Sequence, residues 1–137
     1  MTLLQKQSAL IERYSMIPDP QERLEALMTR KSTLIPLADS ERVDAALVRG
    51  CVSRVWLAGF YENGLCRFRI DAESAMVRGL VSILAEIYDG AVPDEIISVE
   101  PQFFEGLGLS SNLTPTRLNG LASVRKAIRD FAQMISG

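Results

Sequence analysis

The chain has 137 residues, a formal net charge of −2 and an acidic pI near 5.2. Because chains generally divide only beyond roughly 250 residues, we expect residues 1–137 to form one domain. The charge argues against nucleic acid as a partner, since phosphate binding requires clustered lysine and arginine. Apolar stretches are short and interrupted by charges, so no membrane span is expected. The start lacks a secretory pattern, and the predicted location is the cytoplasm, where thiols stay reduced.

The absence of histidine removes much catalytic chemistry. The chain holds two cysteines, Cys51 and Cys66, and no histidine. No Ser–His or Cys–His couple can form within it. Two thiols also fall short of the roughly four ligands that zinc takes. No CxxC pair and no phosphate-binding glycine motif occurs. We therefore expect no bound metal and no cofactor.

The sequence pattern in the first third of the chain predicts two helices and a loop. Apolar residues recur at near-helical spacing over residues 3–16. The Asp19-Pro20 pair is typical of a helix start, because Asp caps free N–H groups and Pro fits the first turn. A second helix is therefore expected over about residues 20–31. Residues 32–43 contain a proline and several turn formers, which predicts a loop.

The middle of the chain has the pattern of a β-hairpin. Residues 54–61 are rich in β-formers, and residues 65–70 alternate strictly between apolar and polar side chains. Asn63-Gly64 between them is the strongest short hairpin signal. Residues 44–50 are expected to add a third strand beside this pair.

Helical spacing returns after the hairpin. An apolar stripe over residues 77–88 predicts a long helix that packs on the sheet and ends at Asp89-Gly90. Short helices are expected at residues 93–99 and 101–107, and Thr114-Pro115 begins the last helix. The whole pattern indicates an α+β fold, with a small antiparallel sheet packed against helices from both ends of the chain.

Cys51 is the strongest candidate for chemistry. It follows Gly50 and immediately precedes the first strand, which predicts a turn at a sheet edge. Arg49 and Arg54 flank it, and nearby cations favour the reactive thiolate. The alternative is that Cys51 is a small buried apolar residue, the commoner role of a free cysteine. Cys66 belongs to the alternating apolar set and is expected in the core.

A few charged residues are further candidates. Arg117 lies in the first turn of the last helix, where the helix dipole disfavours a cation. It either points to solvent or has a specific anionic partner. Asp71, Glu73 and Glu86 could act as acids or bases, but a solvated helix face would explain them equally well.

Four segments together resemble the SufE family. GCVSRVW in residues 50–56 is similar to its active-cysteine segment, and DAESAMVRGL in residues 71–80 to its acidic run before a helix. FEGLGL in residues 104–109 and NLTPTRLNGL in residues 112–121 resemble its two later motifs. The segments follow the family's order, and the resemblance covers essentially the whole chain.

The resemblance implies a sulfur-acceptor protein with an α+β fold shared with IscU scaffolds. Such a protein takes persulfide sulfur on Cys51 from a pyridoxal-phosphate-dependent cysteine desulfurase of the SufS or CsdA type. It stimulates that enzyme and passes the sulfur to a downstream iron–sulfur scaffold, with little turnover of its own. Gly50, Arg117 and Glu73 match family positions expected at the partner surface or near the cysteine loop.

Three other functions remain open on the sequence. An iron–sulfur scaffold of the IscU kind would need about three or four Cys or His ligands. A non-covalent regulatory module of a desulfurase would need no reactive thiol and would work equally well with Cys51→Ser. A free-standing cysteine hydrolase is disfavoured because the chain has no histidine to serve as base.

Overall fold

The structure is a computed structural model that describes residues 2–137. Its helices and strands, in chain order, are α1 (Leu3–Ser15), α2 (Pro20–Thr29), β1 (Val55–Glu62), β2 (Leu65–Ala72), α3 (Ala75–Tyr88), α4 (Pro93–Ser98), α5 (Phe103–Gly106) and α6 (Pro115–Ser136). This arrangement confirms the predicted α+β class with an antiparallel sheet. The predicted helix over residues 101–107 is shorter than expected and begins two residues after its proline.

The sheet is the predicted hairpin. β1 and β2 pair antiparallel along their whole length, from Val55 opposite Ala72 to Glu62 opposite Leu65. Asn63 and Gly64 form the turn, with φ of 53° and 78°. This is the left-handed geometry that two-residue hairpin turns require.

The prediction of a third strand over residues 44–50 is wrong. Asp44–Ala46 forms a turn of 3-10 helix. Only Leu47 then bridges to Trp56, while the Val48 N–H donates to the Val55 carbonyl over 2.8 Å. The helical turn and the left-handed Gly50 bracket this short extended piece, so it cannot lengthen into a strand.

Helix α3 is the centre of the fold. Every residue from 80 to 88 is buried, because the hairpin covers one side of the helix and the N-terminal helices cover another. On the hairpin, α6 packs against β1, where the Phe131 ring lies close over Gly59. The same ring meets Phe68 of β2 edge to face, with 5.6 Å between ring centroids. The helices that flank the sheet therefore come from the middle and the end of the chain, and the hairpin is held mainly by α3 and α6.

Glu86 is buried within this core, so the interpretation of a solvated helix face is wrong for it. Arg30 pairs with its carboxylate, and the Thr33 N–H donates to Oε1 over 2.9 Å. Burial alone would raise the pKa of Glu86, but the Arg30 and Thr33 hydrogen bonds hold it below its ordinary value. These contacts tie the segment after α2 to the last turn of α3.

We expect Gly79→Ala to destabilise the fold. A Cβ at residue 79 would lie 2.8 Å from both the Cα and the carbonyl oxygen of Met28, so helices α2 and α3 must separate. The free energy of unfolding should fall by about 1–3 kcal/mol, typical of overpacking. Gly120→Ala in α6 is the control, because its Cβ would meet only the Cys51 sulfur at 3.9 Å. Urea unfolding of both variants is the measurement, and equal stability in the two would contradict the close packing.

Candidate functional site

The Cys51 loop is held against helix α6 by a close backbone approach. Gly50 has φ of +93°, a region that side chains rarely occupy. A Cβ at this position would also lie 2.5 Å from Oγ of Ser123. Residue 50 must therefore be glycine for the loop to lie this close to α6.

The Cys51 thiol is half-buried and faces the first turns of α6. Its S–H donates to the carbonyl of Gly120, with 3.6 Å between sulfur and oxygen. Burial raises the pKa of the Cys51 thiol. The expectation that flanking arginines favour the thiolate is not supported: Arg54 pairs with Glu73 at 3.2 Å, and Arg49 is exposed. In this position the sulfur is protonated and sheltered.

A cavity of about 240 Å³ lies beside the thiol. Its apolar lining comes from α3 and α6, namely Val77, Leu80, Val81 and Leu121, and from Val52 of the loop. Its polar lining consists of Ser53, Ser74, Thr114, Thr116 and Arg117. Among residues 2–137, no Asp or Glu lines it. The cavity thus offers one thiol and one cation over an apolar floor.

Two helix starts meet at this cavity. Ser74 caps α3 by accepting the Val77 N–H over 3.4 Å, and Thr114 caps α6 by accepting the Arg117 N–H over 3.2 Å. N-capping side chains satisfy N–H groups that the first helical turn leaves free. These caps fix where both helices begin and therefore fix the walls of the cavity.

Arg117 and Glu73, both expected near the loop, are placed differently. Arg117 is half-buried and lines the cavity with Cys51. Within residues 2–137, no carboxylate lies in ion-pair reach of its guanidinium. Glu73 is exposed and does not line the cavity; it pairs with Arg54. The structure brings Cys51, Gly50 and Arg117 together and leaves Glu73 on the adjoining surface.

Cys66 is fully buried in β2, as predicted. Its N–H donates to the Ala91 carbonyl over 2.8 Å, and burial raises the pKa of its thiol. Both cysteines are free thiols. Cys66 therefore belongs to the core, and the accessible chemistry belongs to Cys51.

Sequence reasoning expected Arg117 of α6 near the loop but missed the two residues of that helix that hold the loop. Ser123 packs against Gly50, and the Gly120 carbonyl accepts the Cys51 thiol. These two residues are three apart and so share one face of the helix. Gly120 in the second turn of a long helix was a usable signal, because glycine is a poor helix former and its presence there points to a reason other than helix stability.

The sequence model of the SufE family, described as an Fe-S metabolism associated domain, matches residues 8–132. The chain belongs to the SufE family. Membership of this family associates the protein with iron–sulfur metabolism. Cys51 and the cavity beside it lie inside the matched segment.

Relatives of this SufE-family protein include an uncharacterized SufE-like protein of Synechocystis sp., 33% identical over 96% of this chain and 82% of the relative. A chloroplastic quinolinate synthase of rice is 37% identical over 74% of this chain, which spans only 14% of that longer protein. A solution structure of a hypothetical protein from Thermus thermophilus superposes with a TM-score of 0.75 at 22% identity, covering 94% of both chains. The last comparison shows a shared fold.

No helix within residues 2–137 combines the length and the apolar character that crossing a bilayer requires.

Gly50→Ala should expose the Cys51 thiol of this SufE-family protein. The added Cβ meets Ser123 and the φ is strained, so the loop should lift away from α6. Alkylation of Cys51 by iodoacetamide near pH 7.5, followed by peptide mass spectrometry, should become several-fold faster. This follows because lost burial lowers the thiol pKa.

Gly64→Ala is the matched control for that measurement. Gly64 has φ of +78°, but nothing lies within 4 Å of its added Cβ. It therefore has the same backbone strain far from the thiol and should leave the alkylation rate unchanged. Equal rates in both variants and the native chain would mean that Gly50 does not hold the thiol in place.

Proposed function

We propose that this protein accepts persulfide sulfur on Cys51 from a pyridoxal-phosphate-dependent cysteine desulfurase of the SufS or CsdA type. It stimulates that enzyme and hands the sulfur to a downstream iron–sulfur scaffold. The observation that carries the proposal is the Cys51 thiol, held on a glycine-hinged loop above a small cavity. Membership of a family associated with iron–sulfur metabolism supports it.

The transfer chemistry needs one nucleophilic sulfur and no other catalytic group. The Cys51 thiolate attacks the terminal sulfur of the desulfurase persulfide, and the desulfurase cysteine leaves as its thiolate. A new S–S bond forms on Cys51 as the old one breaks, so no external oxidant or reductant is required. The absence of histidine from the chain is therefore no obstacle.

The buried position of the thiol implies that transfer begins with a movement of the loop. Burial raises the pKa of Cys51 and keeps it protonated, whereas attack requires the thiolate. Swinging the sulfur away from the Gly120 carbonyl would restore solvent and lower the pKa. Returning it to the cavity would then shelter the persulfide from solutes. Gly50 is the hinge of this movement.

Other parts of the surface have supporting roles in the proposal. Arg117 stands at the cavity, and Glu73 with Arg54 lies on the surface beside it, where a desulfurase would meet the loop. Residues 1–137 act as one SufE-like domain, and a single connected core supports this. We place the protein in the cytoplasm, where cysteines stay reduced.

Two alternatives fit the observations less well. An IscU-like scaffold needs about three or four thiol or imidazole ligands. The chain has two cysteines, and Cys66 is fully buried. Within residues 2–137, moreover, no group of three potential metal ligands gathers. A non-covalent regulator of a desulfurase would not need a thiol poised over a cavity, and it would work equally well as Cys51→Ser.

Intact-mass spectrometry tests the proposal. After incubation with a SufS-type desulfurase and free cysteine, the protein should gain about 32 Da, one sulfur atom, by persulfide exchange. Cys51→Ser should gain nothing and should also lose most of the stimulation of the desulfurase. Cys66→Ala is the matched control and should still gain one sulfur. Full stimulation by Cys51→Ser without any mass gain would establish the non-covalent regulator instead.

A further inference from the structure

Arg117 stands out among the arginines of the chain. Within residues 2–137, every arginine except Arg49 and Arg117 has a carboxylate, carbonyl or aromatic partner for its guanidinium. Arg49 is exposed, so water solvates it. Arg117 is half-buried and faces the cavity beside Cys51. A partly desolvated cation with no counter-charge favours an anion that binds from outside the chain.

The rest of the cavity suits a small anion with an apolar body. Within residues 2–137, no carboxylate lines it, and the hydroxyls of Ser53 and Thr116 make no hydrogen bond to another residue, so they can donate to a ligand. Its floor, built by Val77, Leu80 and Leu121, is apolar. At about 240 Å³ it lies just below the roughly 300–1,000 Å³ of drug-sized sites, which excludes large cofactors.

We propose that this cavity binds the carboxylate of a low-molecular-weight thiol and that the bound thiol takes the sulfane sulfur directly from Cys51. Arg117 holds the carboxylate, Ser53 and Thr116 add hydrogen bonds, and the apolar floor receives the carbon chain. This rests on the proposed persulfide on Cys51 and adds a second, small-molecule route for its sulfur. Arg117 is thereby a specificity-determining residue.

The reaction is a sulfane transfer that balances without any further reagent. The thiolate of the small molecule attacks the terminal sulfur of the Cys51 persulfide. The S–S bond of the persulfide breaks, Cys51 leaves as its thiolate, and the small molecule becomes a persulfide that keeps the proton. Because the carboxylate anchors one end of the acceptor, its sulfur can be presented at a fixed distance from Cys51.

A series of thiols of similar size tests the carboxylate preference. Protein with one sulfane sulfur on Cys51, checked by intact mass, is mixed with 3-mercaptopropionate, 2-mercaptoethanol or cysteamine. The rate of sulfane loss is measured by mass spectrometry for each thiol. The ratio of the rate for the carboxylate thiol to the rate for the neutral thiol is then compared between native protein and Arg117→Gln. Comparing the two ratios cancels the difference in intrinsic reactivity between the thiols.

The ratio of the rate with 3-mercaptopropionate to the rate with 2-mercaptoethanol should be about five-fold higher in native protein than in Arg117→Gln. This is the size expected of a partly solvated charge pair. Arg49→Gln is the matched control, because it removes the same charge from the exposed arginine next to the loop, and it should keep the native ratio. Arg117→Lys should keep part of the preference. High salt should shrink the native preference.

Several results would overturn the inference. An equal ratio in native protein and Arg117→Gln would mean that Arg117 selects no small carboxylate. A mixed disulfide on Cys51 with release of sulfide would mean that the thiol attacks the inner sulfur, so no sulfane is passed on. Slower loading from the desulfurase in Arg117→Gln, with an unchanged thiol ratio, would assign Arg117 to the protein partner instead.

The design separates this inference from the proposed function. If the desulfurase does not load Cys51, the proposed function fails at that step. Inorganic polysulfide can then load the same thiol chemically by exchange, and the thiol series still reports on the cavity. A protein that loads normally but shows no carboxylate preference retains the proposed function and loses only the second route.

Discussion

The site depends on one close contact, between the backbone of Gly50 and the face of α6 formed by Gly120 and Ser123. It places the loop where the Cys51 thiol can donate to a helix carbonyl and lie beside the cavity. Much of the surrounding fold makes this contact possible. The hairpin fixes the residue that follows the loop, while α3 and α6 supply the cavity walls and begin at side-chain caps.

Shelter and reactivity oppose each other at this thiol. Burial protects a persulfide from solutes, but it also raises the thiol pKa and disfavours the attacking species. A sulfur carrier meets both demands if it separates them in time, with an exposed thiol for transfer and a buried persulfide for transport. The left-handed Gly50 suits this change because glycine crosses between backbone regions without a Cβ penalty. Arg117, which has no counter-charge within residues 2–137, marks the side from which an anionic acceptor would approach.

Much of the fold was predictable because its signals are local. The hairpin follows from strict alternation around Asn63-Gly64, and the start of α6 from Thr114-Pro115. The predictions that failed depend on contacts that cannot be read from the local sequence. Glu86 reads as a surface residue until Arg30, 56 positions away, is brought to it. The flanking arginines of Cys51 suggested a thiolate, yet Arg54 is engaged by Glu73 and burial dominates the thiol pKa. Motif resemblance identified the cysteine, but not the helix face that holds it.

The most direct measurement is peptide-level mapping of labelled sulfur. A desulfurase is supplied with ³⁴S-cysteine in the presence of this protein, and the products are digested under non-reducing conditions. Our account predicts ³⁴S on the peptide that contains Cys51, with none on the peptide that contains Cys66, which is fully buried. The label should disappear when apo iron–sulfur acceptor is added. Label on neither peptide, while the desulfurase is still stimulated, would contradict the account and show that the protein acts without carrying sulfur.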